Sequence, residues 1–370
     1  MMLKKFSVEN FKGFRDKIEI DFGTPCNYGF NQEIVENGCV TKGIIYGKNG
    51  SGKSNLGLAL MDIILHLTDK EKLWGAYNYY LNLEGRKSYA EFKYVFEFDG
   101  QELTYEYQKT DGETLLCEMV SIAKKEVLYY DFRNNLGHVE LKGAEALSEK
   151  LTNPSMISRV KYISSNAILE DNAENRVFNK FIGFVNRMLL FFSLDQRGYE
   201  GFRTGGESVG SGIISSGQLA NFQSFLHKND IFYNLVEREV DDKKVIYCRF
   251  KNSEANFFKI ASTGTKSLAL FFYWFIRMQE ASFVYIDEFD AFYHFELSWN
   301  VVEELRELRG IQIFTTTHNT DLMTNDLLRP DCYFKIKDNQ ILSLADLTDK
   351  ELRKAHNLQK MYKAGAFDGR

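Results

Sequence analysis

Hydrophobic positions recur with a period of two between residues 90 and 107, which predicts β-strands there. The alternating apolar residues are Phe92, Tyr94, Phe96, Phe98, Leu103, Tyr105 and Tyr107. Such alternation is typical of strands with one buried face. Asp99-Gly100 and Asp111-Gly112 fall where hairpin turns are needed. The pattern therefore predicts an antiparallel meander.

Helical and buried-strand patterns lie on both sides of the meander. The predicted helices are 54–66, 174–192 and a segment near 218–228. The predicted strands are one or two within 2–22, a buried strand at 40–46, one at 160–163 and one near 244–250. The Gly- and Ser-rich stretch 201–217 indicates a loop or hinge. Helix and strand signals alternate again from 264 to 336, which favours an α/β fold.

The composition is that of a folded globular chain, and its charge bears on the partners. The 370 residues are 44% hydrophobic and 26% charged, and can hold one large domain or two ordinary ones. A net charge of −5 disfavours DNA as a partner, although a local basic patch would still permit it. The five cysteines are scattered, which suits a reducing cytosol. Because we find neither a signal peptide nor an apolar run of about 20 residues, we expect a cytoplasmic protein without a membrane contact.

Residues 47–54 read Gly-Lys-Asn-Gly-Ser-Gly-Lys-Ser and match the phosphate-loop pattern G-x-x-x-x-G-K-[ST] in full. A predicted strand precedes the match and a predicted helix follows it, as the motif requires. Glycines let backbone N–H groups approach a polyphosphate, and the helix N-terminus adds a positive end. The predicted ATP-binding residues of the loop are Asn49, Gly50, Ser51, Gly52, Lys53 and Ser54. Lys53 is expected to reach the β- and γ-phosphates, and Ser54 to ligate Mg²⁺.

Two later apolar runs end in chemistry-bearing residues. The run 283–286 ends in Asp287 and Glu288, and the run 311–314 is followed by three threonines and His318. An acid at such a strand end holds Mg²⁺ in P-loop ATPases, so we predict Asp287 as a metal ligand. Glu288 is then expected to polarise the attacking water, and His318 to hydrogen-bond the γ-phosphate. With Lys53, these two form the predicted catalytic set.

The roles of three further polar residues remain open from the sequence. Asp290 and His294 follow the acidic pair and could belong either to the edge of the site or to a helix cap. No glutamine-containing loop is evident, and Asn166, after the predicted strand 160–163, is the candidate to replace it.

A Ser-x-Gly turn precedes the apolar helix pattern at 268–278. Ser262 and Gly264 form this turn, and the free N–H groups of a helix N-terminus can bind an anion. The turn lies just upstream of the Asp287 strand, where it resembles the signature motif of ABC ATPases. The segment 215–218 is also Ser-Ser-Gly-Gln, but it lies too far upstream for that order. We therefore prefer Ser262 and Gly264 as contacts to ATP held by a second molecule.

Taken together, these motifs resemble the RecF, SMC and OLD branch of ABC-type P-loop ATPases. The opening Glu-Asn-Phe-Lys-Gly-Phe at 9–14 is similar to the N-terminal element of that branch, which lies beside the nucleotide. On this match alone, Lys12 is expected to contact the nucleotide. The tail, with Leu-Arg-Pro-Asp at 328–331 and Tyr-Lys-Ala-Gly-Ala-Phe at 362–367, resembles the compact ATPases of bacterial anti-phage systems of the RloA, AbiL and PARIS kind.

The resemblance implies a fold class and a division of the chain. We expect an ABC-type α/β ATPase with a mixed sheet, the antiparallel meander and a mainly helical insertion. Sustained heptads are missing, so no long coiled-coil arm is expected. The predicted divisions are an ATPase lobe at 1–134, a mainly helical insertion at 135–240, a second ATPase lobe at 241–345 and a C-terminal tail at 346–370. The stretch after His318 is too short for the nuclease domain of full OLD proteins, so another chain would supply one.

The resemblance also implies an activity. We expect a Mg²⁺-dependent ATPase that closes with a second copy around ATP and acts as the switch of an anti-phage defence system. Its partners would be itself, a separately encoded effector such as a nuclease or toxin, and a phage component as trigger. The alternatives are a RecF-like DNA-maintenance ATPase and a nucleotide-gated scaffold with little turnover. A transporter subunit fits the motifs less well.

Overall fold

The computed structural model describes residues 1–147, 157–192, 199–202 and 208–368. In chain order the strands are β1 (Met2–Glu9), β2 (Ile18–Asp21), β3 (Val35–Glu36), β4 (Cys39–Val40), β5 (Lys42–Tyr46), β6 (Ala90–Phe98), β7 (Gln101–Lys109), β8 (Leu115–Ile122), β9 (Lys125–Asp131), β10 (Leu136–Val139), β11 (Met188–Phe192), β12 (Tyr199–Gly201), β13 (Leu235–Val240), β14 (Lys243–Arg249), β15 (Glu254–Asn256), β16 (Phe283–Asp287), β17 (Gln312–Thr316), β18 (Tyr333–Lys337) and β19 (Gln340–Ser343). The α-helices are α1 (Lys53–Leu67), α2 (Arg159–Asn166), α3 (Ala173–Val185), α4 (Val209–Ser215), α5 (Leu219–Lys228), α6 (Phe257–Ile260), α7 (Thr263–Met278), α8 (Phe295–Glu307) and α9 (Leu358–Lys363).

The first of two seven-stranded sheets is antiparallel and contains the predicted meander. Its order is β10-β9-β8-β7-β6-β1-β2. Burial alternates strictly along β6, as its sequence pattern requires. The inner face stacks aromatic rings, and the centroids of Phe92 and Tyr107 lie 4.8 Å apart. Helices α1 and α3 cover this face, where Phe96 packs against Phe181 with the ring centroids 5.3 Å apart.

The second sheet is mostly parallel and carries the chemistry. Its order is β12-β11-β16-β17-β5-β18-β19, and the five inner strands run parallel. The edge strands β12 and β19 are antiparallel to their neighbours. All parallel strands point their carboxyl ends to one edge, which is where ligands bind in such sheets. The phosphate loop follows β5 at this edge, Asp287 ends β16, and His318 follows β17.

Three element predictions from the sequence were wrong. Helix α3 ends at Val185, and the last residues of the predicted helix 174–192 form β11 instead, because this short run is buried on all sides in the parallel sheet. Residues 160–163 lie in helix α2 rather than a strand, so Asn166 does not follow a strand and its amide bonds the Tyr162 carbonyl at 2.8 Å. Part of the predicted loop 201–217 is helix α4, whereas residues 203–207 lie outside the described part.

The range 135–240 is not separate from the ATPase sheet. It contributes helices α2–α5, but also β11, which pairs in parallel with β16 in register from Met188–Phe283 to Phe192–Asp287. The tail packs on the same body: the Asn325 amide donates to the carbonyls of Arg353, Lys354 and His356.

Helix length limits the possible architectures. The longest helix of the described residues, α7, has 16 residues, too few for a coiled-coil arm. Within the described ranges, no helix combines the length and the apolar character needed to cross a membrane.

Candidate functional site

The phosphate loop forms an open anion cradle. Gly50 and Gly52 have φ values of +76° and +101°, in the left-handed region that favours glycine. A Cβ at Gly52 would also lie 2.7 Å from the ring of Phe14, so no side chain fits. Among the described residues, no side chain caps helix α1, which begins at Lys53. Its first N–H groups are therefore available to an anion and add the positive end of the helix.

Lys53 lies at the centre of this cradle. Its ammonium donates to the Gly47 carbonyl at 3.2 Å and lies 2.8 Å from His318 Nε2. A protonated amine can only donate, so Nε2 of His318 accepts in this pair. Burial lowers the pKa of Lys53, and the negative charges of Glu288 and Asp287 limit this shift. Among the described residues, nothing accepts the third N–H of the ammonium, which is therefore available to a ligand oxygen.

The predicted metal ligands lie side by side. Ser54 Oγ donates to Asp287 Oδ2 at 2.6 Å, which joins the start of α1 to the end of β16. The other oxygen, Oδ1, accepts from the hydroxyl of Thr316 at 2.7 Å. The carboxylate of Asp287 is thus held at both oxygens. A hydroxyl and a carboxylate are hard oxygen donors, the type that Mg²⁺ prefers.

Glu288 faces the same cleft. Its Oε1 lies 3.7 Å from His318 Nε2, and its backbone adopts φ +48°. The cleft measures about 580 Å³, and the residues that line it are Asn49, Gly50, Gly52, Lys53, Ser54, Asn55, Glu288 and His318. The structure therefore brings the phosphate loop together with Asp287, Glu288 and His318, which follow it by more than 230 residues in sequence.

Asp290 and His294, two of the three residues whose roles the sequence left open, have different positions. Asp290 accepts from Thr317 Oγ1 at 2.8 Å, so it lies at the edge of the site beside the strand end that precedes His318. Burial raises the pKa of Asp290. His294 instead caps helix α8, where its Nδ1 accepts from the Leu297 amide at 3.4 Å.

The predicted signature turn is a helix cap away from this cleft. Ser262 Oγ accepts from the amide of Thr265 at 3.1 Å at the start of α7. A Cβ at Gly264 would lie 3.0 Å from the Phe292 carbonyl. Neither residue is among those lining the cleft in the described part of the chain. Their contact with the ATP of a second molecule stays a prediction.

The N-terminal element lies beside the loop, although Lys12 points elsewhere. Phe14 packs against Gly52, and a Cβ at Gly13 would lie 2.9 Å from the Asn55 amide. The ammonium of Lys12 donates to the Asn78 carbonyl at 2.8 Å, and burial lowers its pKa. A nucleotide contact by Lys12 therefore stays a prediction, and the structure adds no support for it.

Sequence reasoning missed three residues that shape the site. Thr316 bonds both acidic residues, and Asn55 lines the cleft. The hydroxyl of Tyr285, on β16, donates to the Lys53 carbonyl at 2.7 Å and fixes the first turn of α1. Asn55, next to Ser54, could have been found from the motif. The other two partners are defined by strand pairing, which no local pattern gives.

The sheet and the site together define the class of protein. The phosphate loop follows β5 of the parallel sheet, an acidic residue ends β16, and a histidine follows the neighbouring β17. The chain is an AAA-type P-loop ATPase. Residues 44–324 match the family model described as "AAA domain, putative AbiEii toxin, Type IV TA system", and the chain belongs to this family.

Solved structures with a similar fold include SMC heads and RecF, whereas no curated protein matches the sequence. The chain is similar to an SMC head bound to the C-winged helix domain of ScpA, at 15% identity over 94% of this chain and 99% of that one, with a TM-score of 0.47. It is similar to the SMC head domain from Thermotoga maritima at 16% identity, over 92% and 98%, with a TM-score of 0.43. It is also similar to RecF of the RecFOR pathway at 14% identity, over 92% of this chain and 98% of that one, with a TM-score of 0.43.

Proposed function

We propose that this protein is an ATP-hydrolysing switch that closes with a second copy of itself around ATP. The observation that carries the proposal is the 2.6 Å hydrogen bond between Ser54 and Asp287 at the mouth of the phosphate loop. This bond brings a hydroxyl and a carboxylate, two oxygen donors of the kind that Mg²⁺ prefers, together next to Lys53 and Glu288. Phosphoryl transfer needs positioning and charge neutralisation more than covalent chemistry, and this cleft supplies both.

Magnesium fits the oxygen donors of this cleft. Ser54 and Asp287 would hold the ion, which would neutralise charge on the β- and γ-phosphates. The backbone N–H groups of residues 49–54 would bind the phosphate oxygens, with the N-terminus of α1 behind them. Lys53 would turn its free N–H toward the β- and γ-phosphates.

The hydrolytic step is assigned to Glu288 and His318. The Glu288 carboxylate faces the cleft and would orient and polarise a water molecule in line with the γ-phosphate. His318, 2.8 Å from the Lys53 ammonium, would leave this partner, adopt the tautomer that carries its proton on Nε2, and donate to a γ-phosphate oxygen, so that it detects whether the phosphate is present. Ser262 and Gly264 of a second copy would close over the same phosphate. Loss of the γ-phosphate would then loosen the pair.

Replacement of Glu288 by Gln tests the assignment of the general base. The variant keeps the shape and hydrogen-bonding size of the side chain but cannot accept a proton, so we expect the ATPase rate to fall by about 100- to 10,000-fold. ATP binding should persist. Glu296→Gln is the matched control, since this side chain is 82% exposed on α8, and it should retain the wild-type rate. A Glu288→Gln rate equal to wild type would contradict the proposal.

For the biological role, we propose the switch of an anti-phage defence system that controls a separate effector such as a nuclease or toxin. The family description, with its reference to a toxin and a type IV toxin–antitoxin system, supports this role. The net charge of −5 also favours a protein over DNA as the partner.

A pull-down of Glu288→Gln from its native cells tests this role, because retained ATP should preserve the closed complex. Lys53→Ala, which removes the phosphate-binding amine, is the control. We expect a nuclease-like or toxin-like protein to be enriched with the first variant and not with the second. Enrichment of DNA and repair proteins instead would favour a RecF-like function and end the defence assignment.

A further inference from the structure

Thr316 is a buried residue that touches both acidic residues of the site and does not line the cleft. It is the last residue of β17 and is 0% exposed. Strands β16 and β17 run parallel with Thr315 opposite Ile286, so the next step along both strands brings Thr316 beside Asp287. Its hydroxyl donates to Asp287 Oδ1 at 2.7 Å.

The same hydroxyl also fixes the backbone of Glu288. The Glu288 amide donates to Thr316 Oγ1 at 2.7 Å, and the next amide, of Phe289, donates to the Thr316 carbonyl at 3.2 Å. A hydroxyl has one donor hydrogen and two acceptor lone pairs, so both side-chain bonds can form at once. One residue therefore holds two consecutive amides and one carboxylate.

These bonds explain how Glu288 keeps an unusual conformation. Its φ of +48° lies in the left-handed region, which a residue with a side chain adopts only when its surroundings enforce it. With Thr316 in place, the Glu288 carboxylate points into the cleft, 3.7 Å from His318 Nε2. His318 follows Thr316 by two residues, so the strand end that leads to the histidine also bonds both acidic residues.

We propose that Thr316 is a positioning residue that sets the orientation of Asp287 for the metal and of Glu288 for the water. The inference rests on the proposed ATPase function. It predicts that loss of the hydroxyl reduces turnover and raises the Mg²⁺ concentration that ATP binding requires, while nucleotide binding at saturating Mg²⁺ changes little. A residue that only fills the core would affect stability alone.

The neighbouring residue provides a matched control. Thr315 is 3% exposed on the same strand, but its hydroxyl has no hydrogen-bond partner among the described residues. Thr315→Val and Thr316→Val therefore make the same chemical change one residue apart. They differ in whether a hydrogen bond to the site is lost.

The first experiment measures kcat and KM for ATP. We expect kcat of Thr316→Val to fall by about 10- to 100-fold with KM within about threefold of wild type, as for other partners that orient a metal site. Thr316→Ser, which keeps the hydroxyl, should recover to within about threefold of wild type. Thr315→Val should match wild type. Equal rates for the two valine variants would overturn the inference and leave the ATPase function intact.

A second experiment needs no turnover and separates the two proposals. Binding of a fluorescent ATP analogue is titrated with Mg²⁺, and Thr316→Val should require about 10-fold more Mg²⁺ for half-maximal binding than Thr315→Val. An identical requirement would overturn the inference, even if the wild type proved inactive. Absence of hydrolysis in the wild type would instead contradict the proposed function. Melting curves check folding, and if Thr316→Val does not fold, Thr316→Cys, with a weak thiol donor of similar size, takes its place.

Discussion

At the scale of single residues, burial sets the charge of one carboxylate outside the site. Glu200, on β12, is 0% exposed and accepts from the Tyr77 hydroxyl at 3.0 Å. Its other oxygen has no hydrogen-bond partner in the described ranges. Burial raises the pKa of Glu200 from its ordinary value near 4.5 to about 8. The folded protein thus keeps this side chain protonated at neutral pH.

This raised pKa predicts a pH dependence of stability. The unfolded chain releases the Glu200 proton near pH 4.5, whereas the folded protein keeps it until about pH 8. The folded state therefore binds more protons in this window, so Glu200 makes stability fall as pH rises, with a limiting slope of about 1.4 kcal/mol per pH unit. In Glu200→Gln, neither state titrates at this position.

Thermal unfolding between pH 5.5 and 8 measures the effect. The melting temperature of wild type should fall relative to that of Glu200→Gln as pH increases. Glu307→Gln, whose side chain is 76% exposed, should follow the wild-type curve. Parallel curves for wild type and Glu200→Gln would show that Glu200 is already ionised in the folded protein.

At the scale of elements, helix α1 connects the phosphate loop to the meander. Asp62 on α1 and Lys109 on β7 form an ion pair at 3.1 Å with both side chains 0% exposed. The hydroxyls of Tyr80 and Tyr107 donate to the same carboxylate at 2.8 and 2.9 Å. A buried charge is tolerated only when it is paired and hydrogen-bonded in this way. The helix that carries Lys53 is therefore fixed to the antiparallel sheet.

The elements found from sequence were those whose pattern is local. The alternation in β6 and β7, the apolar run of β5 and the spacing in α1 are properties of single segments, and the structure has all four. Strand β11 was missed because an apolar run next to a helix continues its spacing by chance, and only pairing with β16 decides between strand and helix. The run 160–163 in α2 was mistaken for a strand because a short apolar run alone does not distinguish a strand from a helix.

The residues of the candidate site also divide into those with a local sequence pattern and those without one. The loop from Asn49 to Ser54 has a contiguous motif, and Asp287 and His318 follow recognisable strands, so all could be predicted before their distances were known. Thr316 could not, because its role comes from the register of β16 and β17. The contact of Lys12 with the nucleotide was predicted by resemblance alone, and in the structure its ammonium donates to the Asn78 carbonyl.

At the scale of the whole molecule, one chain carries two different helix starts that we propose bind phosphate. The start of α1 opens into the cleft with Lys53, while the start of α7, with Ser262 and Gly264, does not line it. Closure between two copies would bring the α7 start of one to the α1 start of the other. The proposed switch therefore depends on ATP-driven self-association more than on any single residue.

The most direct test is the mass of Glu288→Gln in solution with and without ATP and Mg²⁺, measured by size-exclusion chromatography with light scattering. Lys53→Ala under the same conditions is the control. We expect ATP to shift Glu288→Gln from its nucleotide-free mass to at least twice the 42.9 kDa of one chain, and we expect no shift for Lys53→Ala. A Glu288→Gln protein that binds ATP and stays a monomer would contradict closure between two copies.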